Sequence, residues 1–116
     1  MNRISEEEAS VIKSYTDPDD RMIAILSLLT ETEVIPDVGQ LYTFVYTPKT
    51  PEIKYDQHPL VVVSDIFRWG FRAYNFHWKS PHNYTWLEVI GNLHKVNREE
   101  LNTLLALNYQ KFKINT

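Results

Sequence analysis

Asp56 and His58 lie two residues apart in the run Tyr55-Asp56-Gln57-His58-Pro59. An acid beside an imidazole can orient a base, as in a catalytic triad, and loops are where such groups concentrate. A triad also needs a nucleophile. The chain contains no cysteine, and no serine lies in a Gly-x-Ser-x-Gly context. The simpler expectation is an Asx-type turn, in which Tyr55, Asp56 and His58 order a long loop before Pro59-Leu60. His77 and His82 are close in sequence, but neither a helical pair of histidines nor a facial triad accompanies them. The three glycines, Gly39, Gly70 and Gly91, are isolated, so no phosphate-cradling loop can be drawn. No catalytic residue, metal site or cofactor is expected.

Aromatic residues carry the stronger signal. Phe67, Trp69, Phe71, Tyr74, Phe76, Trp78, Tyr84 and Trp86 crowd into twenty residues, interleaved with Arg68, Arg72, Lys79 and His82. Three roles suit this pattern: the core of a small β-domain, a protein interface anchored by aromatics and arginine, or a stacking platform for single-stranded nucleic acid. The net charge of residues 39–96 is only +2, far from a dedicated nucleic-acid footprint. Trp69 sits beside Gly70 in an expected turn, where a core role fits least. Arg68, Trp69, Arg72 and Trp78 are the candidate binding residues.

The elements that must position these residues follow from local pattern. A chain of 116 residues with 43% hydrophobic and 23% charged content suits one domain with one core. No apolar run approaches the roughly 20 residues of a membrane span, and no membrane partner is expected. Residues 1–38 carry net −6, an acidic segment able to steer a copy of itself or a basic partner. Ser5 and Glu8 have capping-box spacing, which predicts a helix to about Tyr15. Asp17-Pro18 predicts a second helix. Its stripe is Met22, Ile25, Leu26 and Leu29, widened by Ile23 and Leu28, and it ends by Glu31 or Thr32.

Leu41 to Tyr46 reads as a strand with two apolar faces, and Leu60 to Val63 as a buried strand. Thr47-Pro48-Lys49-Thr50-Pro51 breaks the first, and a loop runs on to Pro59. Phe71 to Trp78 reads as another strand, ended by Ser80-Pro81-His82-Asn83. Tyr84 to Ile90 fits either a strand or a short helix. Asn97 with Glu100 caps a last helix, with Val96 and Leu101 as a staple. Its expected apolar face is Leu101, Leu104, Leu105 and Phe112, while Lys111 to Ile114 fits an edge strand equally well. Clustered strands between helices indicate an α+β fold with an antiparallel sheet, and a small barrel would limit open edges.

The stretch from Gly39 to Trp78 resembles a small family of proteins encoded by tailed phages. The residues that carry this are Gly39 to Tyr46, Pro48-Lys49-Thr50, Tyr55-Asp56, Pro59-Leu60-Val61, Gly70-Phe71 and Asn75-Phe76-His77-Trp78. The resemblance implies a virion component made in the host cytoplasm, with other virion proteins or copies of itself as partners. A looser likeness links the Gly39 strand, the proline-containing loop and Pro59-Leu60-Val61-Val62-Val63 to the SH3-like barrel of PemK/MazF-type endoribonucleases. That likeness implies catalytic roles near the positions of His58 and Ser64, but His58 replaces the usual arginine.

These readings combine into one α+β domain over residues 1–116. Residues 1–38 form an acidic helical segment, 39–96 an SH3-like antiparallel barrel, and 97–116 a helix and tail. The expected function is a non-catalytic phage structural or assembly protein of the tail or baseplate. The alternatives are an RNA-directed protein of PemK-like fold and a small regulator of a host protein.

Overall fold

The computed structural model describes residues 2–48 and 54–114. Helix α1 spans Glu6–Ser14. The Ser5 hydroxyl accepts from the Glu8 N–H at 3.1 Å, and the Glu8 carboxylate accepts from the Ser5 N–H at 3.0 Å. This closes the capping box and satisfies two otherwise orphaned donors. Helix α2 spans Pro18–Leu28, with the Asp17 side chain accepting from the Asp19 N–H.

α2 ends at Leu28, within the expected limit of Glu31 or Thr32. The backbone beyond it turns to another partner: Glu31 O accepts from the Lys95 N–H, and the two-residue strand β1, Thr32–Glu33, follows. Met22, Ile25 and Leu29 of the predicted stripe are fully buried. Ile23 is not part of that stripe. It is 68% exposed because it falls on the far side of the helix.

The other strands are β2 (Leu41–Tyr46), β3 (Lys54–Asp56), β4 (Leu60–Ile66), β5 (Gly70–Asn75), β6 (Ser80–Thr85), β7 (Val89–Val96) and β8 (Phe112–Ile114). Six of the eight strands, β1 included, form an antiparallel sheet in the order β1-β7-β2-β4-β5-β6, and β3 pairs with β8. The fold is therefore α+β, and the strand order of the larger sheet ends on β1 and β6. No helix among the described residues is long and apolar enough to cross a membrane.

β2 explains why both of its faces are apolar. Leu41 and Val45 pack on a cluster built from α1, α2 and the C-terminal segment, including Ile12, Ile25, Leu104 and Tyr109. Tyr42, Phe44 and Tyr46 belong to a second, aromatic cluster with Val61, Phe71, Tyr84 and Leu93. The polar exception, Thr43, is satisfied by Pro59 O at 2.9 Å and the Tyr109 hydroxyl at 3.0 Å.

The hairpin of β5 and β6 differs from expectation. The Phe71 to Trp78 strand ends at Asn75, whose side-chain oxygen accepts from the N–H groups of His77 and Trp78. Lys79, at φ 57°, completes the turn. Ser80 to Asn83 then forms a strand instead of a break. Pro81 is tolerated there because β6 pairs on one side only. Tyr84 to Ile90 divides into the end of β6, a 3₁₀ turn over Trp86–Glu88 and the start of β7.

Gly70 fixes the approach of β6 to β5. A Cβ there would lie 1.9 Å from Tyr84 O. Gly70→Ala is therefore expected to force the two strands apart and cost about 1–3 kcal/mol or more. Denaturant unfolding checks this, and a cost near zero would contradict the close approach.

Asn97 and Glu100 form their capping box at a 3₁₀ turn, Arg98–Glu100, which leads into α3, Leu101–Ala106. Phe112 does not extend the apolar face of α3. Asn108 adopts φ 50° after the helix end, and Phe112 lies on β8.

Candidate functional site

The turn Phe67–Trp69 joins β4 to β5. Three hydrogen bonds hold it: Phe67 N–H to Gly70 O at 2.7 Å, Trp86 N–H to Trp69 O at 3.2 Å, and the Trp86 indole N–H to Arg68 O at 2.9 Å. The Phe67 and Trp69 rings stack with centroids 5.0 Å apart and planes 7° from parallel. Trp69 is still 46% exposed. Two large rings are thus fixed in place while keeping much of their surface in water.

Hollows flank this turn on two sides. One, of about 490 Å³, runs between Phe67 and Arg68, the Val34-Ile35 segment, and Trp86, Val89 and Leu93. The other, of about 390 Å³, lies between Trp69, Trp86 and Leu87. Leu87 is 87% exposed. The floor of the first hollow continues into the aromatic core, since Trp86 packs against Phe71 at 5.4 Å.

The wall that carries Val34 and Ile35 is anchored as well. The Tyr42 hydroxyl donates to Glu33 and accepts from the Asp37 N–H, both at 2.8 Å. Lys95 pairs with Glu33 at 2.9 Å. The Lys95 ammonium, helped by the Tyr42 hydroxyl, holds the Glu33 carboxyl below its usual range. The arrangement is a firm, largely apolar surface with Arg68 as its cation. It offers no group of three acids or histidines for a metal among the described residues.

The structure unites only part of the expected binding set. Arg68 and Trp69 share the turn. Arg72 is exposed on β5, opposite Asp65 and Asn83 in the strand register. Trp78 lies beyond the other end of β5, a strand whose six residues span roughly 20 Å. There it packs against Phe112 at 4.9 Å and under the Lys54 ammonium at 5.1 Å.

Tyr55 and Asp56 sit on β3, within the expected loop, because this segment pairs with β8. The Thr47 to Pro51 break is described only as far as Pro48; residues 49–53 lie outside the described residues. Asp56 and His58 form the Asx-type turn, with the His58 N–H donating to Asp56 Oδ1 at 2.9 Å. They do not form a side-chain pair. The His58 ring contacts Asp19 at 2.9 Å instead, and Lys111 contacts the other oxygen of Asp19 at 2.6 Å. Lys111, with His58 adding to it, holds the Asp19 carboxyl below its ordinary value. This bridge ties α2 to the strand pair β3–β8.

Ser64 is exposed on β4 and donates to Asp65 and to Arg72 O. Five residues of largely extended chain lie between it and the buried His58, a chain length of about 20 Å.

Comparison with known protein families, curated proteins and solved structures finds no match to this chain. The residues missed by sequence reasoning are Val34, Ile35 and Leu87. Each is an ordinary hydrophobic residue in no motif, and residue type alone does not separate exposed from buried. The one available signal was the apolar pair Val34-Ile35 immediately before Pro36, where a core strand cannot continue.

Proposed function

We propose that this chain is a non-catalytic bacteriophage structural protein of the tail or baseplate. It docks neighbouring virion proteins through the Phe67–Trp69 turn and its flanking hollows. The single observation that carries this reading is the stacked, exposed and firmly anchored Phe67–Trp69 pair. Scattered surface hydrophobics are ordinary, but a contiguous apolar patch marks an interaction site. Burying one such side chain contributes about 1.5–3 kcal/mol. Because the turn is already fixed, little ordering cost offsets that gain.

The virion setting rests on the resemblance between residues 39–78 and proteins of tailed phages. The finer fold assignment, an SH3-like barrel, is part of the same proposal. It is supported by the register shifts between Thr43 and Val45 and between Val63 and Asp65, which bend the sheet. The distance between His58 and Ser64 supports a docking role over an RNA-directed one.

Trp69→Ala is expected to weaken docking about 30-fold, equivalent to about 2 kcal/mol. The measurement is the fraction of chain that stays with the particle after dilution, at matched circular dichroism. Retention equal to wild type would remove Trp69 from the interface.

A further inference from the structure

A separate cavity of about 100 Å³ lies near the other end of β5, between β2, β3 and β6. Its aromatic walls are Tyr46, Tyr55, Trp78 and Tyr84, and Asp56 and His82 contribute the ionisable side chains besides Lys54. The exposed Lys54 and Asn83 mark its mouth. This volume is far above the roughly 10–15 Å³ needed to hold one water.

Asp56 is only 3% exposed. Both of its oxygens accept hydrogen bonds, one from the His58 N–H at 2.9 Å and one from the Asn75 amide at 3.2 Å. Those donors are neutral. Among the described residues no lysine or arginine pairs with it. His77 Nδ1 lies within ion-pair reach of Asp56 Oδ2 at 3.5 Å, but neither ring nitrogen makes a hydrogen bond to the described protein. The His82 ring bonds to the Ser80 hydroxyl, and burial pushes its imidazole below the usual range against the pull of Asp56. A buried carboxylate requires a cation nearby, and aromatic faces attract cations. The Lys54 ammonium lies 5.1 Å from the Trp78 ring centroid, so a ligand cation takes its place over that ring as the flexible lysine swings out to solvent.

We propose that this cavity is a binding site for a small methylated ammonium cation, held by the Asp56 carboxylate and the rings of Tyr46, Tyr55, Trp78 and Tyr84. The shape is that of an aromatic cage closed on one side by an acid. The rings supply the surface that suits methyl groups, and the acid supplies selectivity for charge. A neutral molecule of the same size gains only the first of these.

The test is a titration of the full chain with tetramethylammonium chloride, read by the amide and indole signals in two-dimensional NMR. Sodium chloride at equal ionic strength and tert-butanol, a neutral near-isostere, are the controls. Saturable shifts centred on Trp78 are expected with tetramethylammonium and not with either control. Asp56→Asn is expected to weaken binding at least tenfold. Trp78→Leu, at the half-buried rim, is a second variant that leaves the hydrogen bonds of Asp56 intact, and it should weaken binding to a similar degree. Absence of saturable shifts in the wild type would overturn the proposal. So would equal binding of tert-butanol, or Trp78→Leu binding as tightly as wild type.

Discussion

Glu100→Ala is expected to lose about 3–5 kcal/mol of stability, the cost of breaking a buried ion pair by removing one partner. Glu100 is 0% exposed. One of its oxygens accepts from an Arg3 guanidinium N–H at 2.9 Å and from the Asn97 backbone at 2.8 Å. The other accepts from the Arg3 backbone at 2.6 Å and from Arg3 Nε at 3.0 Å. Truncation therefore leaves two backbone donors without their acceptor and the Arg3 guanidinium with only Lys95 O at 2.9 Å and Glu31 at 3.4 Å, and it also opens the cap before α3. The same contact joins the chain start to the C-terminal helix, so its loss should loosen both.

The pH dependence follows from the same contacts. Burial alone would raise the Glu100 carboxyl, but the hydrogen bonds and charge of Arg3, with the Asn97 N–H, hold it below the ordinary glutamate value. A carboxyl depressed in the folded state adds stability above its unfolded pKa of about 4.3 and loses it as pH falls through the folded value. Wild type should thus exceed Glu100→Gln most clearly at neutral pH, with the gap narrowing below about pH 4. Urea unfolding at neutral and acid pH measures both effects. A cost under about 1 kcal/mol for Glu100→Ala would be that of an exposed pair and would contradict the burial.

Phe44→Ala is expected to cost about 3–5 kcal/mol, the range for deleting a buried aromatic ring. Phe44 is fully buried and meets Tyr46, Phe71 and Tyr84 edge-on at 6.3, 5.7 and 5.4 Å. No small shift of one neighbour can refill a space bounded by three rings on three different strands. The ring also bears on the proposed docking surface, because Phe71 in turn supports Trp86 at the floor of the hollow beside Phe67. The comparison is Ile23→Ala on the outer face of α2, which should stay within about 0.5 kcal/mol of wild type. Similar midpoints for the two variants in denaturant would show that the aromatic cluster is not the core.

Local structure was legible in the sequence where its causes are local. Ser5 with Glu8 and Asp17 with Pro18 cap the helices they were expected to cap, and Asn97 with Glu100 closes its box on the 3₁₀ turn that leads into the last helix, because a cap needs only a few neighbouring residues. A turn over Phe67 to Trp69 was legible for the same reason, although Gly70, expected at its tip, opens β5. The second half of the sheet was not. Pro81 reads as a breaker until β6 is known to lie at an edge, which depends on how the strands pair across the sheet. Most of β7 was obscured by Gly91 and Asn92, which sit where its pairing with β2 changes register.

The candidate site divides along the same line. Arg68 and Trp69 were recognised as neighbours within one turn, and the structure keeps them together. Trp78 was grouped with them by sequence distance, but β5 carries the chain to the opposite end of the sheet before it. Val34 and Leu87 join the turn only through tertiary packing. The acid beside His58 in sequence, Asp56, uses its side chain on the backbone and on Asn75, while Asp19 reaches the ring from helix α2.

Site-specific photocrosslinking from position 67 tests the docking claim most directly. A photoreactive phenylalanine analogue would replace Phe67 in the full chain, made in the cells that produce it, with Ser14 on α1 as the control position. The docking account predicts a discrete protein adduct from position 67, absent from position 14 and lost when Trp69→Ala is added. No protein adduct from position 67, or an adduct with RNA alone, would contradict it.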